Sequence, residues 1–285
     1  MTTAREVLRN SDGLPTLSQT VGRLAMLLGD EKSSLQDFER IIKPDPALTA
    51  NLLRLANSAY FGLRRQVTSV RQAVSLLGID RVFEIAAGAS FTKVLPERIP
   101  GYEIDAASYF THCLAVGAMA EDLSVRLAMK DVDMVFTAGL LHDIGKLAIG
   151  SFLIRDRSAV KEALSKQGAR FIDVEREIIG TTHEEVGGLM VEEWHLPESF
   201  LYAVTQHHNS EEAPNGADQK IADLIHVADG LAHMMGFGAD VGELKRTIDD
   251  RAVHRLHVKV HDLEIAAMDT MDSIKEMSEI IGGMP

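Results

Sequence analysis

The residues in this chain that can do chemistry are a few polar side chains set in apolar surroundings. His142-Asp143 lies between Gly139-Leu140-Leu141 and Ile144-Gly145-Lys146-Leu147. A helix that buries this run must give both side chains partners, because an unpaired buried charge is costly. Four other features carry suitable donors: His112, His183, the pair His207-His208, and Asp229. Neutral imidazole and carboxylate suit Fe, Mn, Zn or Ni, and a set this large has donors enough for two ions. These donors lie on five separate segments, so only the fold can bring them together.

Each residue also has a plainer role. His112 flanks an apolar helical stripe and reads equally as a satisfied core histidine. His142 and Asp143 are compatible with a local hydrogen-bonded pair. His183 falls in a first helical turn, where the helix dipole disfavours protonation and keeps the ring available as a neutral ligand. His207-His208 sit near a helix C-terminus, where positive charge is favoured. Asp229 has His226 and His233 one turn away on either side. Lys146, one turn past His142, is either a surface amine or a group reaching an anion at the metals. Cys113, Trp194 and the methionines read as packing.

The elements that must position these residues read as helices. Apolar residues recur at spacings of three and four, and alternating strand patterns are scarce. A first helix spans about Thr16–Leu28. Ser34 caps a second that Pro44 stops, and Pro46 starts a third ending near Asn57-Ser58-Ala59-Tyr60-Phe61-Gly62. Ser69 caps a fourth that Gly78 closes, and Asp80 caps a fifth. Pro96 to Gly101 is the clearest boundary, with two prolines and a glycine in six residues. A long helix, Asp105 to about Ala128, follows and carries His112. Arg155–Gln167 is a charged helix ended by Gly168. Thr182 with Glu185 predicts a capping box ahead of a helix through Trp194, and Pro197 opens the next. Asn209–Gln219 is a polar loop, Ile221–Met235 is helical, and Val241–Pro285 holds two amphipathic helices. The expected fold is all-α and two-lobed, with lobes over 14–98 and 102–285.

The bulk numbers fit that class. The 285 residues suffice for one large or two small cores, and 46% hydrophobic with 25% charged residues is ordinary for a globular protein. A formal charge of −13 argues against nonspecific nucleic-acid binding but leaves room for a small anionic ligand in a local pocket. One cysteine, a polar N-terminus and no uncharged apolar run long enough to cross a bilayer lead us to expect a cytoplasmic protein without membrane attachment.

Gly139-Leu140-Leu141-His142-Asp143-Ile144-Gly145-Lys146 resembles the signature of the HD superfamily of metal-dependent phosphohydrolases. His112, His183 in His-x-x-x-Gly, His207-His208, and Asp229 in Val-Ala-Asp follow in that superfamily's order and match the ligands of its dinuclear and HD-GYP members. The first half is similar to HDOD domains, bacterial output and signalling modules. That resemblance rests on Leu14-Pro15-x-Leu17, Asp45-Pro46-Ala47-Leu48, Leu52-Leu53-Arg54-Leu55-Ala56-Asn57-Ser58-Ala59-Tyr60-Phe61-Gly62 and Ala73-Val74-Ser75-Leu76-Leu77-Gly78. The HD-superfamily resemblance implies two divalent ions, Fe or Mn first and Zn or Ni next, on His112, His142, Asp143, His183, His207, His208 and Asp229, with Asp143 bridging. Many HDOD proteins have lost these ligand types, which this chain keeps. After His207-His208 it reads Asn209-Ser210-Glu211-Glu212, without the Asp-Gly-x-Gly-Tyr-Pro stretch that helps shape the cyclic-dinucleotide pocket of HD-GYP enzymes.

Three functions follow. The favoured one is a regulatory module with a bound metal centre that acts on a protein partner of a signalling pathway or on a small nucleotide or phosphate ligand. The alternative is a metal-dependent phosphohydrolase, a nucleotide or cyclic-dinucleotide phosphoesterase, in which Asp143 and Lys146 take part in catalysis. The plainest is a metal-free scaffold whose polar residues pair with one another.

Overall fold

The computed structural model describes residues 2–11, 19–28, 33–58, 62–63, 65–92, 95–129, 134–166, 168–213, 216–238 and 247–282. Leu14-Pro15 and Tyr60-Phe61 of the sequence motifs lie outside these residues. The fold is all-α. Its helices are α1 Ala4–Asn10, α2 Gln19–Leu28, α3 Leu35–Ile42, α4 Pro46–Ala56, α5 Val70–Leu77, α6 Ile79–Thr92, α7 Ala106–Arg126, α8 Val135–Leu141, α9 Lys146–Leu153, α10 Arg157–Ser165, α11 Phe171–Ile178, α12 His183–Glu193, α13 Glu198–Gln206, α14 Ala217–Met234, α15 Asp250–Leu256 and α16 Val260–Gly282. Between α6 and α7, β1 Arg98–Ile99 pairs antiparallel with β2 Ile104–Asp105, a hairpin too short to leave an alternating pattern in the sequence.

Helix starts follow the capping residues closely. The Asp45 carboxylate accepts from Leu48 N–H ahead of Pro46, Ser69 Oγ from Gln72 N–H, and Asp105 from Ser108 N–H. Two starts differ from expectation. Asp80 lies inside the first turn of α6, which begins at Ile79. Pro197 is the N-cap of α13 and not its first residue. At Thr182 half of the expected box forms: its hydroxyl accepts from Glu185 N–H, but the Glu185 carboxylate accepts from Thr181 and Arg176 instead. Thr3 and Glu6 form a full box that starts α1, a helix hidden in sequence because only Val7 and Leu8 of it are buried.

Helices α2–α6 pack on one another, and α7–α15 form a second group around α7. We propose the hairpin as the boundary between these lobes. The boundary is well stitched: α6 touches α8, α16 lies along α7 while reaching α4 and α6, and the buried apolar side chains form one continuous core. Helix α7 is buried nearly all round, as a helix contacted by α8, α14 and α16 must be. The segment Val135–Ser165 is long and apolar enough to cross a membrane, yet 78% of its apolar window is buried inside the protein.

Two glycine contacts set the site. An added Cβ at Gly139 would sit 2.6 Å from Gly117 Cα, so α7 and α8 cross backbone to backbone. At Gly145 it would sit 1.9 Å from His183 O, so the turn between α8 and α9 lies directly on the start of α12. Gly145→Ala should therefore cost roughly 3 kcal/mol or more, read as a lowered urea midpoint, because backbone and not a flexible side chain must give way.

At the lobe junction Glu84 of α6 is 4% exposed and pairs with Arg81, 2.9 Å away, which also pairs with Glu121 of α7. Burial pushes the Glu84 carboxyl up to about 7, with Arg81 opposing and Glu121 adding to the shift. The folded chain then holds a proton that the unfolded chain releases near 4.5, so stability falls as pH rises from about 4.5 to about 7. Glu84→Gln should remove this slope. The stability of the variant relative to the parent should rise by up to roughly 3 kcal/mol between pH 4.5 and 7.5, measured by urea unfolding.

Candidate metal centre

The dispersed donors meet. Helix α7 supplies His112, the turn after α8 supplies His142 and Asp143, the first residue of α12 is His183, the end of α13 supplies His207-His208, and α14 supplies Asp229. His142, Asp143 and His207 are fully buried, and His112, His183 and Asp229 nearly so.

Asp143 is at the centre, and its two oxygens face different partners. Oδ2 lies 3.9 Å from His112 Nε2 and 3.5 Å from His142 Nε2. Oδ1 lies 3.4 Å from His183 Nε2 and 3.6 Å from His207 Nε2. Asp229 Oδ1 stands 3.3 Å from His112 Nε2 and 3.8 Å from His142 Nε2. The two three-residue groups that result, His112-His142-Asp143 and His183-His207-His208, are each close enough to share an ion.

The outer ring nitrogens fix the orientation of the inner ones. His112 Nδ1 donates to Phe237 O at 2.9 Å, His142 Nδ1 to Gly139 O at 2.6 Å, and His207 Nδ1 to the carbonyls of Ala203 and Val204 at 3.1 Å. A carbonyl only accepts, so each of these Nδ1 atoms carries the proton and each Nε2 of the neutral ring presents a lone pair inward. His112 Nε2 and His142 Nε2 are buried and make no hydrogen bond, and the buried Asp143 carboxylate has the Lys146 ammonium beside Oδ2 while Oδ1 makes no hydrogen bond. Around His183 Nε2 the crowding is closer, with His208 Nε2 at 3.1 Å and His207 Nε2 at 3.4 Å. One shared proton satisfies one such contact. A cation among them satisfies all, and the donor set fits a metal on these grounds.

The electrostatics agree. Burial pushes His142 down to about 3, which keeps it neutral. Burial would raise Asp143, but Lys146 Nζ, 2.7 Å from Oδ2, and then the neighbouring imidazoles hold it well below the usual carboxylate range. Lys146 is thus no surface amine: it is 2% exposed. Burial raises Glu184, which accepts from His208 N–H at 2.9 Å.

His183 departs from expectation. Burial opposes its protonation, but Glu175 more than offsets this and raises its pKa, overriding the helix N-terminus. Glu175, on α11, accepts from His183 Nδ1 at 2.8 Å, from His183 N–H at 2.7 Å and from the Tyr102 hydroxyl at 2.7 Å. Tyr102 comes from the interlobe hairpin, where Gly101 at φ 78° rests on Leu153 and Gly150 of α9. Its ring stacks on Phe171 and lies 5.4 Å from Lys146 Nζ. Sequence reading missed Glu175 and Tyr102. The only trace of Glu175 is its place on the buried stripe of Phe171, Ile172 and Val174.

Other histidines sort clearly. His233 Nε2 is 3.4 Å from Asp229 Oδ1 and joins the cluster with His112. His226 does not pair with Asp229 as its spacing suggested: it donates to His207 O at 2.7 Å and accepts from Asp249 N–H at 3.0 Å. His257 and His261 share helical spacing, but both are exposed, and His257 at φ 58° ends α15.

A cleft of about 470 Å³ opens beside this cluster. Lys146, His183 and His208 line it, together with Phe171, Ile172, Arg170 and Arg251. Among the described residues none of α2–α6 reaches it.

Glu175→Gln should lower the pKa of His183, since burial then acts without the carboxylate. A ¹H–¹⁵N titration of metal-free protein reads this, and an unchanged His183 would show that Glu175 does not set its charge.

A model of the HDOD domain matches residues 14–210. An uncharacterised protein of Treponema pallidum (strain Nichols) is 24% identical over 217 residues, which are 74% of this chain and 40% of that protein, so this chain spans less than half of that relative's length. Among solved structures, an HDOD domain protein of unknown function from Geobacter sulfurreducens has a TM-score of 0.77 at 24% identity, covering 99% of this chain and 97% of that one. A protein from Shewanella amazonensis SB2B provisionally named a phosphohydrolase has 0.75 at 21%, covering 98% of each chain. One from Marinobacter aquaeolei VT8 provisionally named a signal transduction protein has 0.68 at 21%, covering 98% of this chain and 64% of that one. These likenesses establish the fold, and the family model covers most of the chain: this protein belongs to the HDOD domain family.

Proposed function

We propose that this HDOD protein is a metal-dependent phosphohydrolase acting on a small phosphorylated ligand. One observation carries the reading: His183 and His208 belong both to the donor cluster and to the lining of the cleft, which Lys146, paired with Asp143, also lines. A centre closed on all sides would be structural, whereas this one has a side that a ligand can reach. That access moves the balance from the regulatory module favoured by the sequence towards chemistry. The cleft has the volume of a small-molecule site.

In this reading His112, His142, Asp143 and Asp229 would hold one divalent ion and Asp143, His183, His207 and His208 a second, with Fe or Mn the metals that would suit the set best. Ions bound there supply Lewis acidity towards a phosphoryl oxygen and acidify water. The protein does the rest. Asp143 presents one oxygen to each group and fixes their spacing. Lys146 stands one turn beyond it and adds positive charge beside a phosphate in the cleft. Phe171 and Ile172 give the cleft apolar lining, and Arg170 and Arg251 polar lining. Residues 210–212 form a short 3-10 turn where HD-GYP enzymes carry their Asp-Gly-x-Gly-Tyr-Pro loop, which favours a phosphoester other than a cyclic dinucleotide as the ligand.

A second reading is a regulatory module that binds such a ligand without turning it over and signals through a protein partner. It is favoured by the α2–α6 lobe, which adds nothing to the cleft among the described residues.

Metal analysis of the full chain, then phosphate release from a phosphoester panel with Mn²⁺ or Fe²⁺ present, separates the readings. Turnover that falls at least ~100-fold in Asp143→Asn, along with bound metal, supports the enzyme. Saturable ligand binding without turnover supports the module. A chain that takes up no metal, with Asp143→Asn equally stable, sinks both.

A further inference from the structure

The donor cluster has two ends with unlike surroundings. We propose that the centre is asymmetric: His233 joins His112, His142 and Asp229 in a sealed end that retains its ion, while the His183, His207 and His208 end exchanges its ion and carries the ligand. This rests on the metal reading above and adds a ligand and a division of labour that the sequence did not indicate.

His233 points at the same oxygen as His112. Its Nε2 is 3.4 Å from Asp229 Oδ1, where His112 Nε2 is at 3.3 Å, and the two rings stand 4.5 Å apart between centroids. His112 is 4% exposed, and its Nε2 makes no hydrogen bond while aimed into this group. Two imidazoles converging on one buried carboxylate oxygen, one with its lone pair unsatisfied, form a cation site and not a packing contact.

Access differs sharply between the ends. The cavity beside His112 is about 10 Å³, near the least that holds one water. Gly238, at φ 131°, folds the chain after α14 back over both rings. A Cβ there would lie 2.6 Å from His233 Nδ1 and 3.2 Å from His112 Nδ1, so among the described residues backbone is packed tightly against the outer side of both rings. The other end opens on about 470 Å³.

Donor number differs in the same sense. His112 shares one group with Asp229 and His233 and another with His142 and Asp143, so the sealed end draws on two overlapping groups of donors, whereas His183, His207 and His208 form a single group of three beside the other Asp143 oxygen. For ions that take up to six ligands, the sealed end has little left to offer a phosphate and the open end has more.

Mn²⁺ titration of the metal-free full chain, followed by electron paramagnetic resonance, tests this. The parent should bind two ions with dissociation constants at least ~10-fold apart, since added protein donors tighten the sealed end. His233→Ala should weaken the tighter ion by ~10–100-fold and leave the weaker within about twofold, while His208→Ala should do the reverse. His233→Gln keeps most of the volume and should show the same selective loss with an unchanged urea midpoint, which separates ligation from folding. Equal affinities in the parent, or a His233→Ala chain that keeps the tighter ion, overturns the asymmetry and leaves the metal reading standing. A parent that binds no Mn²⁺ overturns the metal reading itself.

Discussion

A carboxylate shut away from water is the constraint on which this structure depends. Asp143 is fully buried where α7, α8, α12, α13 and α14 approach one another, and an ionised group there is tolerable only if positive charge and donors surround it. Lys146 supplies the charge that the chain itself can provide, one turn along. Four imidazole Nε2 atoms within 3.9 Å then face the same carboxylate as lone pairs, because their outer nitrogens are committed as donors to backbone carbonyls or to Glu175. Anchoring to backbone means the rings inherit their aim from the helices, so the precision of the centre comes from helix packing and not from flexible side chains.

That packing is permitted by missing side chains. Gly117 against Gly139 and Gly145 against His183 O bring backbones closer than any Cβ allows. Without the first contact α7 and α8 separate and His112 leaves Asp143; without the second, α12 moves off and His183 leaves it. Tyr102 adds a longer-range tie. A residue of the interlobe hairpin holds Glu175, which holds His183, so the joint between the lobes and the cleft end of the centre share one hydrogen-bonded chain.

The sequence revealed helices and donors more readily than their supports. Caps such as Asp45, Ser69 and Asp105 act within three residues, so they are visible locally. The seven donors were legible through their resemblance to the HD pattern, since residue type alone left each with a plainer role and only His142-Asp143 stood in an apolar run that asks for a partner. Glu175 was not, because a buried glutamate on an amphipathic helix looks like any stripe boundary until the partner eight residues on is seen to lie against it. His226 and His233 had the same helical relation to Asp229, and only the tertiary structure sends one to His207 O and the other to Asp229. Whether the centre is closed or open is a property of the space between α11, α14 and α15, and no spacing along the chain encodes it.

The cleft's charges carry the argument one step further. The chain is at −13 overall, so long-range attraction does not bring an anion to it, and at physiological salt such steering fades beyond about 8 Å. Inside the cleft the cations are already engaged: Lys146 with Asp143, Arg251 with Asp249 and Glu211, and Arg170 with Asp173. Glu175, Asp249 and Asp250 line the same space. With the fixed charges so nearly balanced, the proposed phosphate affinity would have to come chiefly from ions at the histidines. In that proposal metal and ligand would bind as linked events, each raising affinity for the other by the same factor, and ion exchange at the open end would set how much ligand the protein holds.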